Sequence, residues 1–234
     1  MQSHLLVAPA QKINLFTQYY HDKSGAVRQS ELDFCLRVNV LHAPIDTVYI
    51  IKEKAVELPS DLVGEQRIVI IEYEGRPTFR QMFEWMAKFS GPDDINILSN
   101  SDICFDSSIT KTLRLRNTEA LSISRWDLIQ PLSLVSPVKL SRACVPYCKC
   151  DSFDVWIVRG PPSPDMFPVS EFHLGVPGCD NLIVHVLRKY GKYLVYNPCR
   201  DIRCHHIHIS GVRHYTIEKR LTGQYDHVHP CRWE

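Results

Sequence analysis

The chain has 234 residues, of which 44% are hydrophobic and 23% charged, and its formal net charge is +1. That length suits one larger domain with a sizeable core, and the near-neutral balance gives no global electrostatic case for nucleic acid or a charged membrane. No apolar run approaches the ~20 residues needed to cross a bilayer. The opening residues lack the basic stretch of a signal peptide, so a soluble protein of a cytoplasmic or cytosol-like compartment is expected. Nine cysteines, an odd number with no small disulfide framework around them, are expected as reduced thiols.

Residues 13–17 (INLFT) read as a short apolar strand, followed by a loop over 18–28. A helix is predicted over 29–42, with Leu32, Cys35, Leu36, Val38 and Leu41 as its apolar stripe and Pro44 beyond its end. Residues 45–51 and 67–73 read as the next two strands. Thr78 is placed to cap a helix running to Phe89, with Phe79, Met82, Phe83 and Met86 facing inward. Residues 95–99 (INILS) read as a buried fourth strand. Strand alternating with helix predicts a parallel α/β sheet, and ligands of such sheets bind beyond the carboxyl ends of the strands. Thr17 and the run Asn100-Ser101-Asp102 sit at two such ends.

Beyond Ser107 the character changes. Residues 120–124 read as a strand ending in Arg125-Trp126-Asp127. Residues 128–151, rich in Pro, Ser and Cys, have no clear period and read as a loop. Residues 153–158 read as another strand. There is no Gly-x-Gly-x-x-Gly and no Walker motif, so neither a dinucleotide nor a P-loop site is supported. Cys144, Cys148 and Cys150 offer three thiols, but their spacing is not that of a common zinc knuckle and no fourth ligand is adjacent. Free thiols are the default for them.

The segment 171–213 is the densest in chemistry. Gly178 gives a permissive turn, and Asp180 opens a helix carrying Leu182, Val186 and Leu187, with Gly191 where a C-cap belongs. An acid at a helix N-terminus is favoured in its charged form. A short strand at 193–196 and a histidine-rich strand at 204–208 follow. His206 and His208 are two apart, so on a strand they share a face on which one ion could be held, while His205 points the other way. Residues 214–234 read as a loosely ordered tail holding His227 and His229. Each feature also has a plain structural alternative. Asp180 could be only a helix cap, Asp102 a turn carboxylate, Trp126 and Trp156 core aromatics, and Arg76 and Arg213 solvated surface.

Taken in order, Asn-x-Asp at 100–102, Ser-Arg-Trp-Asp at 124–127, Gly-Cys-Asp-Asn at 178–181 and His-x-His at 206–208 resemble the GT-A glycosyltransferases, especially family 2. The likeness spans roughly residues 12–213. Asn100 stands where that family has the first acid of its Asp-x-Asp motif, and Cys179 stands where a Glu usually precedes the catalytic acid. The resemblance implies an α/β fold with a mixed, mainly parallel sheet flanked by helices, forming one domain over 1–234. A nucleotide-binding half would cover about 12–106 and an acceptor half about 107–213. It implies an inverting transferase that moves a sugar from a UDP- or GDP-sugar donor to a glycan or glycoprotein acceptor. Asp180 would be the base, and Asp102 with His206 or His208 would hold Mn²⁺ or Mg²⁺. The donor would contact Thr17, Gln18, Tyr19, Glu53, Arg76, Asn100, Ser101 and Arg213. Arg125, Trp126, Trp156 and Asn181 would face the sugar or acceptor. A metal-dependent hydrolase using the same Asp/His cluster, and a non-catalytic nucleotide-sugar binder, are the alternatives.

Overall fold

The computed structural model describes residues 11–212 and 220–233. The first half alternates as expected: β1 (Ile13–Gln18), α1 (Ala26–Arg37), β2 (Thr47–Lys52), β3 (Ile68–Glu72), α2 (Phe79–Phe89) and β4 (Ile95–Ser99). Then come β5 (Ile103–Phe105), β6 (Glu119–Ile123), β7 (Trp126–Leu128), α3 (Leu140–Ala143), β8 (Cys144–Pro146), β9 (Val155–Arg159), α4 (Cys179–Lys189), β10 (Leu194–Tyr196) and β11 (Cys204–His206).

Seven strands form one sheet in the order β10-β6-β9-β4-β1-β2-β3. The four strands of the first half are mutually parallel, as are β6 and β10. Only β9 runs against its neighbours, so the sheet is mixed rather than wholly parallel. Burial on both faces explains the near-continuous apolar strands. Along β1, Leu15 joins the core under α1 with Leu32 and Leu36. Phe16 joins the core under α2 and α4, with Met82, Phe83 and Ile183. Successive residues of one strand thus feed opposite layers.

α2 starts where the sequence marks it. Thr78 accepts from the Gln81 backbone N–H at 3.3 Å while the Gln81 side chain accepts from the Thr78 N–H at 2.8 Å, a reciprocal cap that satisfies two otherwise orphaned donors. Gly191 does not take the left-handed conformation expected of a C-cap. Lys192 takes it instead, with φ 58°. Gly191 is required for a different reason, because a Cβ there would lie 2.5 Å from the Tyr193 ring.

The stretch read as a loop after Leu128 is partly ordered. It contains α3 and β8, and β8 pairs with β7. These strands belong to a second sheet of four strands in the order β5-β11-β7-β8. Its strands are three residues each, too short for a period to show in sequence. The described residues of the C-terminal tail also pack onto the body. The Leu221 N–H donates to the Pro177 carbonyl and the Val228 N–H to the Cys150 carbonyl, both at 2.9 Å.

Strand order locates a crevice. β1, β2 and β3 step outward in one direction, and β4 returns to the other side of β1. Such a reversal opens a cleft at the carboxyl ends of the two strands where it occurs. Because β9 is antiparallel, its leading residues 151–154 reach the same edge, with Val155 opposite Ser99.

Candidate functional site

A cavity of about 440 Å³ occupies that crevice. Three elements build its first wall. β4 runs into the turn 100–102, which is tied to the histidine segment by the Ile207 N–H donating to the Asp102 carbonyl at 2.9 Å. β11 lies antiparallel to β5 and parallel to β7, placing His206 opposite Ile103 on one side and Asp127 on the other. Asp102, His206 and His208 thereby converge, with one ligand atom from each lying within 4.8 Å of the others.

The tautomers of both imidazoles are arranged by their outer partners. His206 Nδ1 lies 2.8 Å from Asp127 Oδ1, which turns Nε2 toward Asp102 at 3.4 Å. His208 Nε2 donates to the Val212 carbonyl at 2.8 Å, leaving Nδ1 toward Asp102 at 3.7 Å. Metal-binding histidines are held in this way, one nitrogen anchored to a carboxylate or carbonyl and the other offered to the ion. One carboxylate and two imidazoles therefore fit a divalent ion. The nitrogen donors favour a transition metal such as Mn²⁺ over Mg²⁺, which prefers an all-oxygen shell. Burial works against a charged His206, but Asp102 and Asp127 outweigh it and push its pKa up to about 9. The site thus calls for a cation at Nε2, supplied by a proton or by a metal ion. Burial and the Arg28 guanidinium keep His208 below its usual value.

Arg28 completes this wall. It is buried on α1, donates to Asp102 Oδ2 at 2.6 Å and to Glu31 Oε2 at 2.9 Å, and leaves its Nε without a partner. Burial opposes ionisation of Asp102, yet His206 and Arg28 together hold its carboxyl well below the usual range. A carboxylate has about four lone-pair sites, so Arg28 and an ion can share it.

The opposite wall is the N-terminus of α4 with the start of β9. Gly178, at φ 87°, makes the turn. The Asn181 N–H donates to Asp180 Oδ1 at 3.1 Å. The expectation that the helix terminus keeps Asp180 strongly acidic is not met. Burial first, and then the nearby charge of Asp154, push its pKa up to about 6, outweighing the backbone N–H groups of Asn181 and Phe153. Asp154 is itself held by Arg125 at 2.9 Å and by the Asn100 amide at 2.8 Å. Asn181 is buried; its amide N–H₂ donates to the Asp151 carbonyl, and its Oδ1 has no partner.

Gln18, Arg76, Asn100, Ser101, Asp102, Arg125, Asp180, Asn181, His206 and His208 all line the cavity. Other sequence-stated positions do not. Thr17 is buried under the crevice, bonded to the Ser99 carbonyl. Tyr19 turns into the core and donates to Asp33 at 2.6 Å; its neighbour Tyr20 lines the cavity instead. Glu53 is spent on the Gly75 N–H at 3.2 Å. Trp126 donates its indole N–H to the Cys199 carbonyl at 2.7 Å and packs on His205. Trp156 is 1% exposed and stacks edge-on against Phe79, so it offers no face to a sugar. Arg213 lies outside the described residues. His205 points away from the cavity, fully buried, with Nε2 3.1 Å from Asp106. Among the described residues, no cysteine joins a metal-competent cluster. Arg28, Tyr20 and Arg220 are lining residues that the sequence did not single out, and His227, expected only as part of a loosely ordered tail, lines the cavity as well. An arginine three residues after Gly25, the glycine that precedes α1, was the available signal for Arg28.

No family profile matches the chain, and no curated protein matches it in sequence. Among solved structures it is similar to a 4-diphosphocytidyl-2C-methyl-D-erythritol synthase (TM-score 0.47, 8% identity, 84% of this chain and 93% of that one). It is also similar to a mannose-6-phosphate isomerase of Helicobacter pylori (TM-score 0.46, 10% identity, 95% and 97%). A third is the glycosyltransferase GlyE of Streptococcus pneumoniae (TM-score 0.39, 11% identity, 80% of this chain but 45% of that one). Likeness this distant leaves the functional reading to the geometry of the site.

Proposed function

We propose that the chain is a metal-dependent transferase acting on a nucleotide-diphosphate sugar, of the GT-A kind, and that it passes the sugar to a hydroxyl of a glycan acceptor. The observation that carries this reading is the pairing of two unlike walls across one cleft. One is a cation-ready cluster, Asp102, His206 and His208 beside Arg28; the other is a carboxylate poised near neutrality, Asp180. A diphosphate leaving group needs the first wall and a hydroxyl nucleophile needs the second.

The ion, when bound, neutralises charge building on the departing diphosphate. The chain's own groups do the rest. Arg28, through its free Nε, and Arg76, Arg125 and Arg220 around the cavity supply the fixed positive field for phosphate oxygens. Tyr20 stands at the end of β1, where the nucleoside would lie. Asn181 Oδ1, buried and unpaired, accepts from a hydroxyl and orients it toward Asp180. Asp180 takes the proton as that hydroxyl attacks the anomeric carbon. Resemblance to the inverting class supports inversion at that carbon.

The reading is tested by calorimetric titration of UDP, GDP and their sugars with and without Mn²⁺. Tight binding that needs both nucleotide and ion is expected, and Asp127→Asn should weaken Mn²⁺ binding about 10–100-fold by releasing His206. Mn²⁺ binding with no nucleotide dependence would instead mark a metal-dependent hydrolase.

A further inference from the structure

The excursion from β7 to β8 carries a surface that the proposed transfer does not use. Of the twelve large apolar side chains exposed among the described residues, five lie within 129–147: Ile129, Leu134, Val138, Val145 and Tyr147. Ile129, Leu134 and Val138 are 64%, 70% and 75% exposed. They are held in one compact unit. The Ile129 N–H donates to the Ala143 carbonyl at 3.1 Å, and Asp127 pairs with Val145. Leu140, with Leu128, Leu132 and Val135, anchors the unit on Cys35, Val38 and Cys104. The exposed set is therefore what remains after the core is filled. Monomeric soluble proteins rarely keep such clusters on the surface without a use.

Charge identifies the partner. Residues 128–150 contain no Asp or Glu, whereas Lys139, Arg142 and Lys149 are all cationic and exposed. In a chain of net charge +1 this is a local concentration of one sign. Aliphatic tips interleaved with cations and an interfacial tyrosine match a surface that is anionic outside and apolar just beneath.

We propose that the 129–149 excursion docks the protein onto an anionic lipid bilayer. The face adjoins the cavity, because Arg125, a lining residue, sits 4.7 Å over the Tyr147 ring while Lys149 lies 5.4 Å from it. Docking would thus hold the cleft at the membrane surface. The inference stands on surface chemistry and does not require the transfer reading.

Co-sedimentation of the full chain with phosphatidylcholine vesicles, with and without phosphatidylserine, tests it. Binding is expected only with phosphatidylserine, and it should weaken as salt is raised. Leu134→Ser/Val138→Ser should abolish it, and Lys139→Gln/Arg142→Gln should lower affinity about fivefold per cation removed. All four side chains lie outside the proposed catalytic machinery, so nucleotide binding should be unchanged. Vesicle binding that both double variants retain would overturn the proposal. So would a protein that ignores vesicles but forms dimers in light scattering that Leu134→Ser/Val138→Ser dissolves, since the face would then join two copies.

Discussion

The two walls of the cavity contain aspartates of opposite temper. Asp102 is buried, yet Arg28, His206 and His208 surround it, and it stays ionised far below the usual range. Asp180 is less deeply placed and sits at a helix N-terminus, yet burial and Asp154 raise its pKa to about 6. Partners, not depth, decide the sign. The backbone N–H groups around Asp180 contribute fractional charges at a helix end, and these do not offset desolvation plus a neighbouring carboxylate. The His206 imidazolium and, after it, the Arg28 guanidinium at 2.6 Å do offset it for Asp102. One wall is therefore suited to holding charge and the other to exchanging a proton.

The sharpest way to break this contrast is Asp180→Asn. Asn keeps size and helix compatibility but accepts no proton. Turnover should fall about 10²–10⁴-fold, the usual worth of a positioned base, while donor and Mn²⁺ affinity, which belong to the other wall, hold. Wild-type turnover should rise with pH up to about 6, as Asp180 ionises, and the variant should lose that limb. A steady-state pH–rate profile with donor titration in the same variant decides it. Unchanged turnover would make Asp180 a helix-end residue only.

Asp102→Ala tests the other wall and should damage more than binding. A strand-end turn carboxylate looks dispensable in sequence, but this one neutralises Arg28, whose side chain is 7% exposed. Removing one partner of an isolated buried pair costs about 3–5 kcal/mol, and the ion pair that Arg28 keeps with Glu31 lowers the expectation below that range. Asp102→Ala should therefore lose Mn²⁺-dependent nucleotide binding and also unfold at lower denaturant. Arg28→Met/Asp102→Ala leaves buried Glu31 with its Ser210 bonds but without its cation, so it should recover no binding and at most part of the stability. Equal stability of Asp102→Ala and wild type in urea would mean that Arg28 is not dependent on it.

These outcomes bear on what the chain discloses before it folds. Local chemistry was legible: the period of β1 to β4, the Thr78 cap, the turn at Gly178, and the two-residue spacing that sends His206 and His208 to one side. Pairings across long separations were not. Arg28 meets Asp102 across 74 residues and His206 meets Asp127 across 79, and no periodicity encodes either contact. Trp156 shows the converse limit. A tryptophan on a strand next to a site reads equally well as a sugar platform or as core, and only the packing of α2 against β9, with Phe79 5.0 Å away, assigns it to the core. Tyr19 and Tyr20 differ by one residue, and the alternation at the end of β1 sends the first inward and the second to the cavity.

The smallest expected effect concerns the stability cost of keeping Asp180 where it is. Its pKa is near 3.8 when unfolded and about 6 when folded. A raised folded pKa favours the native state at low pH, where the carboxyl is protonated, and that contribution disappears as pH rises through 6. At pH 8 the folded protein holds Asp180 ionised beside Asp154 at a cost that the unfolded chain does not bear. Removing the charge should therefore stabilise the fold at pH 8 and make little difference near pH 4. Two pKa units correspond to roughly 3 kcal/mol, and solvent reaching this half-buried group lowers the expectation to about 1–2 kcal/mol. Urea midpoints of wild type and Asp180→Asn at the two pH values measure the difference directly. A gain that appears only at the higher pH separates a strained, proton-exchanging carboxylate from a cap, because loss of a favourable cap would make Asp180→Asn neutral or less stable at both.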